Sequence, residues 1–396
     1  MPLSSDLREI RDDVRDHVSG HIANVLPGQE TLLSQPVDPR RNKVWLLDST
    51  AYYEPKRGWK AQVIACAFKA DHDDSAAAGK KVDEAIAGVA DFIGSKKGEK
   101  NNDDAATRKR MEERLAPFLD PVSPGRLVRI DIPTLDQNYT YQIGPGDSSG
   151  VATQVLTLPP PSPSNSGQTL LLHPCLHNWP SRSSMDLRFE GPEGYLIISD
   201  IDDTIKRTQT PDPTGIVRTT FVDDPQPIPL MPQLYGHIDH ELDRPAWFFL
   251  SASPYNLYPF LRKFLRTTGY PAGMLMLRTS SVTDPTGLVE TITQGTYEFK
   301  TSQIAGKIHG WFPRRKVICV GDSTQKDPET YADMYKKFPG WIKAIFIRRV
   351  TDAPHMKEKN KQERFDEAFK GVAPYVYTVF DSPNELQHLI GGLRYR

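Results

Sequence analysis

YLIISDIDDTIK, Tyr195 to Lys206, is the stretch on which the reading of this chain turns. Apolar and small residues lead straight into three carboxylates, Asp200, Asp202 and Asp203. An apolar run without alternation marks a strand buried on both faces. Four more such runs follow, Trp247–Leu250, Met274–Leu277, Val317–Val320 and Ala344–Ile347. Helical segments at Leu257–Thr267, Ser302–Trp311 and Pro328–Lys337 separate several of them. Strands alternating with helices predict an α/β fold, a Rossmann-like parallel sheet wrapped by helices. Reactive groups collect at the carboxyl ends of such strands, where the three acids stand. Packed this closely they repel one another unless a cation joins them, and hard oxygen ligands suit Mg²⁺. A calcium loop is excluded, because Ile205 and Pro211 stand where that loop needs Gly and Glu. A helix cap needs one acid, not three.

Upstream the rhythm differs. Lys43–Asp48, Trp59–Phe68, Leu127–Ile132, Tyr139–Ile143, Val151–Leu158 and Thr169–Leu172 read as β-strands. Asn138-Tyr139-Thr140 matches a glycosylation acceptor and is read as strand. Val82, Ile86, Val89 and Ile93 mark one face of an inserted helix, and SKKGEKNNDDAATRKRMEER is a solvated loop entering a second. GPGDSSG is a turn without the following helix that a phosphate loop needs. PPPSPSNSG, Pro159 to Gly167, is a loop or short linker. Leu3, Leu7, Ile10, Val14, Val18, Ile22 and Val25 form an amphipathic helix ended by Pro27-Gly28. Its mixed-charge polar face argues for packing on the protein over membrane contact. Near the other end, Ser382-Pro383-Asn384-Glu385 reads as a capped helix start. The expected organisation is an N-terminal helix plus β-rich domain, a sandwich or barrel with a helical insertion, over 1–185, and an α/β domain over 186–396.

With 396 residues and 38% hydrophobic composition, the chain has length for more than one core. A net charge of −1 offers no basic field for nucleic acid. No apolar run is long enough to span a bilayer, and MPLSSDLREIRDD has no apolar signal core. Cys66, Cys175 and Cys319 are too few and scattered for a disulfide framework. The expectation is a cytoplasmic protein. His173, Cys175 and His177 alternate as zinc ligands on one strand face would, but Pro174 interrupts the strand and no fourth ligand is evident. Structural burial is the favoured reading there.

Asp200-Ile201-Asp202-Asp203-Thr204 resembles the first motif of haloacid-dehalogenase-type phosphotransferases, Asp-x-Asp-x-Thr after an apolar strand. Ser251 after Phe248-Phe249-Leu250, Lys300 before a helix, and Gly321-Asp322-Ser323-Thr324-Gln325-Lys326-Asp327 after Val317–Val320 resemble the remaining three motifs, in order. SDIDDTIK, FFLSASPYNLYPFL, FKTSQIAGKI and GDSTQKDPETY together look like the phosphatidate phosphatase catalytic domain of the fungal actin-patch protein family. The likeness covers roughly residues 190–350. It implies a haloacid-dehalogenase-like fold and Mg²⁺-dependent removal of phosphate from phosphatidate, leaving diacylglycerol. It also implies a peripheral encounter with a phospholipid substrate at a membrane surface.

The resemblance implies roles. Asp200 is the nucleophile that becomes an aspartyl-phosphate. Asp202 protonates the departing alkoxide, and an Asp at this position goes with rapid turnover. Thr204 orients Asp202 through its hydroxyl. Ser251 and Lys300 hold phosphoryl oxygens. Asp200, the Asp202 backbone carbonyl and Asp322 hold the metal, with Asp327 supporting that site or Lys300. Asp327 before Pro328 also reads as a helix cap, and Asp203 as a helix-start or surface acid. Lys206 and Arg207, with Arg262, Lys263 and Arg266, are either an anionic-lipid patch or a solvated face. Phe221, Ile228, Leu230 and Met231, in the short gap between the first two motifs, contact acyl chains or pack on the core. A phosphatase of soluble phosphomonoesters or phosphoproteins, and a non-catalytic scaffold, stand as alternatives. No Pro-rich stretch for SH3-type partners follows residue 350, which leaves the actin-patch link without a sequence basis.

Overall fold

Side chains on a strand point alternately to opposite faces, so a strand apolar at every position must bury both. The front half of the chain meets that demand with two facing sheets. In the computed structural model, residues 34–70, 75–94, 105–133, 137–159, 170–179, 184–280, 282 and 285–393 are described. The expected helix over Leu3–Val25, the loop at 95–104 and nearly all of PPPSPSNSG lie outside them.

The front strands are β1 (Gln35–Pro36), β2 (Asn42–Leu46), β3 (Ser49–Glu54), β4 (Gly58–Lys69), β5 (Arg126–Pro133), β6 (Asn138–Ile143), β7 (Val151–Leu158), β8 (Leu170–Leu172), β9 (Cys175–Leu176) and β10 (Leu187–Phe189). One sheet runs β1-β5-β6, with β9 on β5, and the other β2-β4-β3-β10-β8, with β7 on β4. Val44, Ala61, Val63 and Ala65 from one sheet meet Val128, Ile130, Ile132 and Ile143 from the other in a single core. The arrangement is therefore a sandwich. Its short strands β3 and β10 went unread in the sequence because neither carries a clean alternation.

β4 has 12 residues, and both of its faces are used. Ala61, Val63 and Ala65 enter the sandwich core. Cys66 and Phe68, on the opposite face, join a second core that includes Ile197, Phe249 and Ile318 of the rear half. Two inserted helices, α1 (Ser75–Phe92) and α2 (Ala105–Leu119), contribute Val89, Met111, Leu115 and Phe118 to that same core.

The rear half is built on β11 (Tyr195–Asp200), β12 (Ala246–Pro254), β13 (Met274–Arg278), β14 (Lys316–Asp322), β15 (Ile342–Arg348) and β16 (Tyr377–Phe380). All five unalternating runs lie in these strands. The order is β13-β12-β11-β14-β15-β16, with every pair parallel. Helices cover both faces. α3 (Met231–Glu241), α4 (Tyr258–Thr267) and the terminal α5 (Gln387–Leu393) pack with Ile197, Phe249 and Ile318. On the other side Ile304, Tyr331 and Phe365 pack with Leu196, Phe248 and Cys319. The expected helix start at Ser382 is a short 3₁₀ turn, where the Glu385 carboxylate accepts from the Ser382 N–H at 2.6 Å.

Phe68 binds the front half to the rear, so Phe68→Ala is expected to cost about 3–5 kcal/mol. Urea denaturation should show one transition displaced as a whole. Two separated transitions in the wild type would contradict a shared core.

Candidate active site

In the order third-second-first-fourth-fifth-sixth, connections leave the first strand in opposite directions on its two sides. A crevice opens there at the carboxyl ends. β11 and β14 flank it, and each ends in an aspartate, Asp200 and Asp322. The turn after β14 brings in Asp327, at the head of the helix Asp327–Lys337. One oxygen from each of these three buried carboxylates lies within 4.8 Å of the others.

A single ammonium sits among them. Lys300, on the helix Thr296–Gln303, is 2% exposed and places Nζ 2.7 Å from Asp200 Oδ1, while also donating to Asp327. That helix starts at Thr296, six residues before the expected Ser302 and directly after the positive-φ Gly295. Its buried residues are Thr296 and Lys300, which give no hydrophobic period by which to find it. Burial works against the Lys300 charge, but Asp200 and Asp327 more than offset it and hold the ammonium above its ordinary range. Burial pushes the Asp200 carboxyl well above the usual range, with Lys300 opposing. Burial and the Asp327 charge likewise raise Asp322. One ammonium is too little charge for three buried carboxylates, and a cluster of hard oxygens short of positive charge fits a divalent cation.

Asp327 does not cap its helix. Its carboxylate takes the Lys300 bond and accepts from the Asp322 N–H at 3.2 Å, so of the two readings the supporting one matches the contacts. A Cβ on Gly321 would stand 2.4 Å from Asp327 Oδ2, which explains the glycine before Asp322. Thr324 donates its N–H to Asp322 Oδ1 at 2.6 Å.

The expected orientation of Asp202 by Thr204 is corrected. The Thr204 hydroxyl lies 3.1 Å from Asp200 Oδ2 and 2.9 Å from Asp322 Oδ2, tying the two strand-end acids together. Asp202 is oriented by Thr208, whose Oγ1 donates to Oδ1 at 2.8 Å, and by Ser251, whose Oγ donates to Oδ2 at 2.6 Å. No pattern pointed to Thr208, because it reaches Asp202 only through a loop turn.

Asp203 is neither a surface acid nor a helix start. It is 2% exposed, at φ 61°, and its carboxylate accepts the N–H groups of Thr208, Gln209 and Thr210 at 2.7–2.8 Å. It thereby shapes the loop that carries Thr208. Burial raises its carboxyl above the ordinary range.

The basic-patch reading is corrected for most of its members. Lys206 is buried, with Nζ 2.6 Å from Thr208 Oγ1 and 3.8 Å from Asp202 Oδ1. Arg207 pairs with Asp352 at 2.8 Å. Arg262 grips Asp48 of the front half with two bonds of 2.6 and 2.7 Å, and Arg266 reaches Asp186 at 2.7 Å. Phe221, Ile228 and Met231 are core residues, and of that group only Leu230 is exposed. Sequence shows charge and apolarity but not the partner that consumes them. His177 pairs with Asp131 and His173 with Asp186, and the only metal-suited cluster among the described residues is the aspartate trio.

A family model described as "Phosphatidate phosphatase APP1, catalytic domain" matches residues 195–349. Over these residues the chain is close to the phosphatidate phosphatase APP1 family. Phosphatidate phosphatase APP1 of Saccharomyces cerevisiae is 31% identical over 194 residues, 47% of this chain and 32% of that protein. An uncharacterized protein of Schizosaccharomyces pombe is 31% identical over 206 residues, 48% of this chain and 31% of its own length. The match thus spans about a third of these relatives. All four motif segments named above fall inside the matched residues.

Gly321→Ala must push Asp327 away from Lys300. The expected cost is about 1–3 kcal/mol, read as a lower urea midpoint. An unchanged midpoint would mean that Asp327 yields without penalty.

Proposed function

We propose that the protein is a Mg²⁺-dependent phosphatidate phosphatase, its haloacid-dehalogenase-like catalytic domain built on β11 to β16, working through an aspartyl-phosphate. The observation that carries this is Asp200 at the crevice, paired with buried Lys300, beside Asp202 held by two hydroxyls. The name of the family matched over 195–349 supports the substrate class.

Asp200 attacks phosphorus, the bond to the lipid alkoxide breaks, and Asp202 donates a proton to the leaving oxygen. Asp202 then takes a proton from the water that cleaves the aspartyl-phosphate, which releases phosphate and restores both acids. Lys300 offsets the repulsion between the Asp200 carboxylate and the phosphoryl group. Thr204 keeps Asp200 and Asp322 in register. Asp200, Asp322 and the Asp202 backbone carbonyl would hold the ion, with Asp327 behind them. When bound, Mg²⁺ would neutralise carboxylate charge and polarise the phosphoryl oxygens.

The lipid would be met at a membrane surface. No helix among the described residues is long and apolar enough to cross a membrane. Of the four residues read as touching acyl chains or packing on the core, Phe221, Ile228 and Met231 are buried and Leu230 is exposed. A panel of phosphatidate in micelles against soluble phosphate esters, with and without Mg²⁺, separates the lipid reading from a soluble-ester phosphatase. Asp200→Asn is expected to abolish phosphate release on every ester, and Asp202→Asn to slow it by about 10²–10⁴-fold. Full activity in Asp200→Asn would overturn the mechanism.

Charge gives a second test. The carboxyls of Asp200, Asp322 and Asp203 are raised by burial. The metal-free fold therefore keeps their full contribution below about pH 4 and loses it as the pH climbs through the raised values. Mg²⁺ is expected to raise the melting temperature more at about pH 7.5 than at about pH 5. An equal or smaller rise at the higher pH would exclude a site built from these acids.

A further inference from the structure

The helix pair inserted between β4 and β5 belongs to the front half, yet its second helix reaches the loop beside the crevice. Arg114 is buried and donates Nη1 to the carbonyls of Thr220 and Asp223, at 2.9 and 2.7 Å. Arg110 donates to the carbonyl of Val222 at 2.6 Å and pairs with Asp224 at 2.8 Å. These carbonyls close the π-helical turn Arg218–Val222, in the loop that runs on from Thr208 and Thr210. Phe118 meets Phe221 edge-on at 5.3 Å, and Pro117 accepts from Asn256 at 2.8 Å. One helix therefore clasps both the segment after the first motif and the segment after the second.

The contact goes further inward. The Arg114 guanidinium lies 4.6 Å from the Phe260 ring, and the Lys206 ammonium lies 5.9 Å from the same ring. Lys206 has only protons to offer, so at Thr208 it must donate, and the Thr208 hydroxyl proton is left to Asp202. A one-way chain results: Lys206 to Thr208 to Asp202. Two cations set against one ring fix where Lys206 stands, since an aromatic face attracts each while the like charges keep apart.

We propose that Arg114 is a positioning residue for proton transfer: through Phe260 and Lys206 it holds Asp202 in line with the leaving oxygen, making the inserted helix pair part of the catalytic apparatus. This rests on the reading of Asp202 as the proton donor.

The readout is dependence on the leaving group. An alkyl phosphate needs a proton on its departing oxygen and a nitrophenyl phosphate hardly does. A misplaced Asp202 therefore slows the alkyl ester selectively. In Arg114→Met, kcat/KM on phosphatidate in micelles is expected to fall about tenfold, a fraction of the 10²–10⁴ that general acid catalysis contributes. On p-nitrophenyl phosphate it should fall by less than about threefold, and Arg114→Lys should lie between wild type and Arg114→Met. Equal losses on the two esters would mark Arg114 as merely structural and overturn the proposal, as would no loss on either. Should Arg114→Met fail to fold, Phe260→Leu, which keeps bulk and removes the ring that both cations approach, is held to the same selectivity. Asp202→Asn, assayed alongside, must show that selectivity more strongly. If it does not, the reading of Asp202 fails, separately from the placement of Arg114.

Discussion

Three carboxylates are buried around one ammonium, and the rest of the rear half is arranged to make that tolerable. A buried charge without a partner is costly, and a buried pair repays its desolvation only with good geometry and further hydrogen bonds. Lys300 meets Asp200 at 2.7 Å and also binds Asp327. The backbone N–H of Asp322 and the hydroxyl of Thr204 take up further carboxylate oxygens. Gly321 leaves the room that Asp327 needs. What remains is an excess of negative charge at one point, which is what a bound cation would answer.

That point is set by topology. Asp200 and Asp322 are far apart in sequence but end adjacent parallel strands, and Lys300 reaches Asp200 from a helix lying on one sheet face. Asp202 belongs to a different set of contacts. Its oxygens are claimed by Ser251 and Thr208, with Lys206 behind the latter. Asp200 and Asp202, two residues apart, therefore sit in separate surroundings. Environments that differ in this way let neighbouring carboxylates take different roles.

The front half is more than a neighbour. Strand β4 turns one face to its own sandwich and the other to the core of the parallel-sheet half. Asp48 takes a two-pronged grip from Arg262, and its backbone N–H donates to the Tyr258 hydroxyl at 2.6 Å. A basic helix that suggested a lipid surface is spent on holding the halves together. Arg114 extends the same interface to the loop beside the crevice.

Much of this was legible in order and chemistry alone. Unalternating apolar runs marked the parallel strands, because such runs have nowhere to go but between two layers of helices. Acids following one run, and a Gly-Asp turn following another, placed the candidate site at the strand ends. Local pattern did not reveal which partner each polar group would choose. Asp203 reads as a surface acid until four neighbouring donors close on it, and Thr204 and Thr208 look alike until the loop turns one toward Asp200 and the other toward Asp202. Sequence by itself determined five strands of the parallel sheet, the ends that carry the acids and the kinds of group gathered there, since these follow from periodicity and residue chemistry. Tertiary structure alone decided the pairings, because burial and direction arise only when distant segments pack.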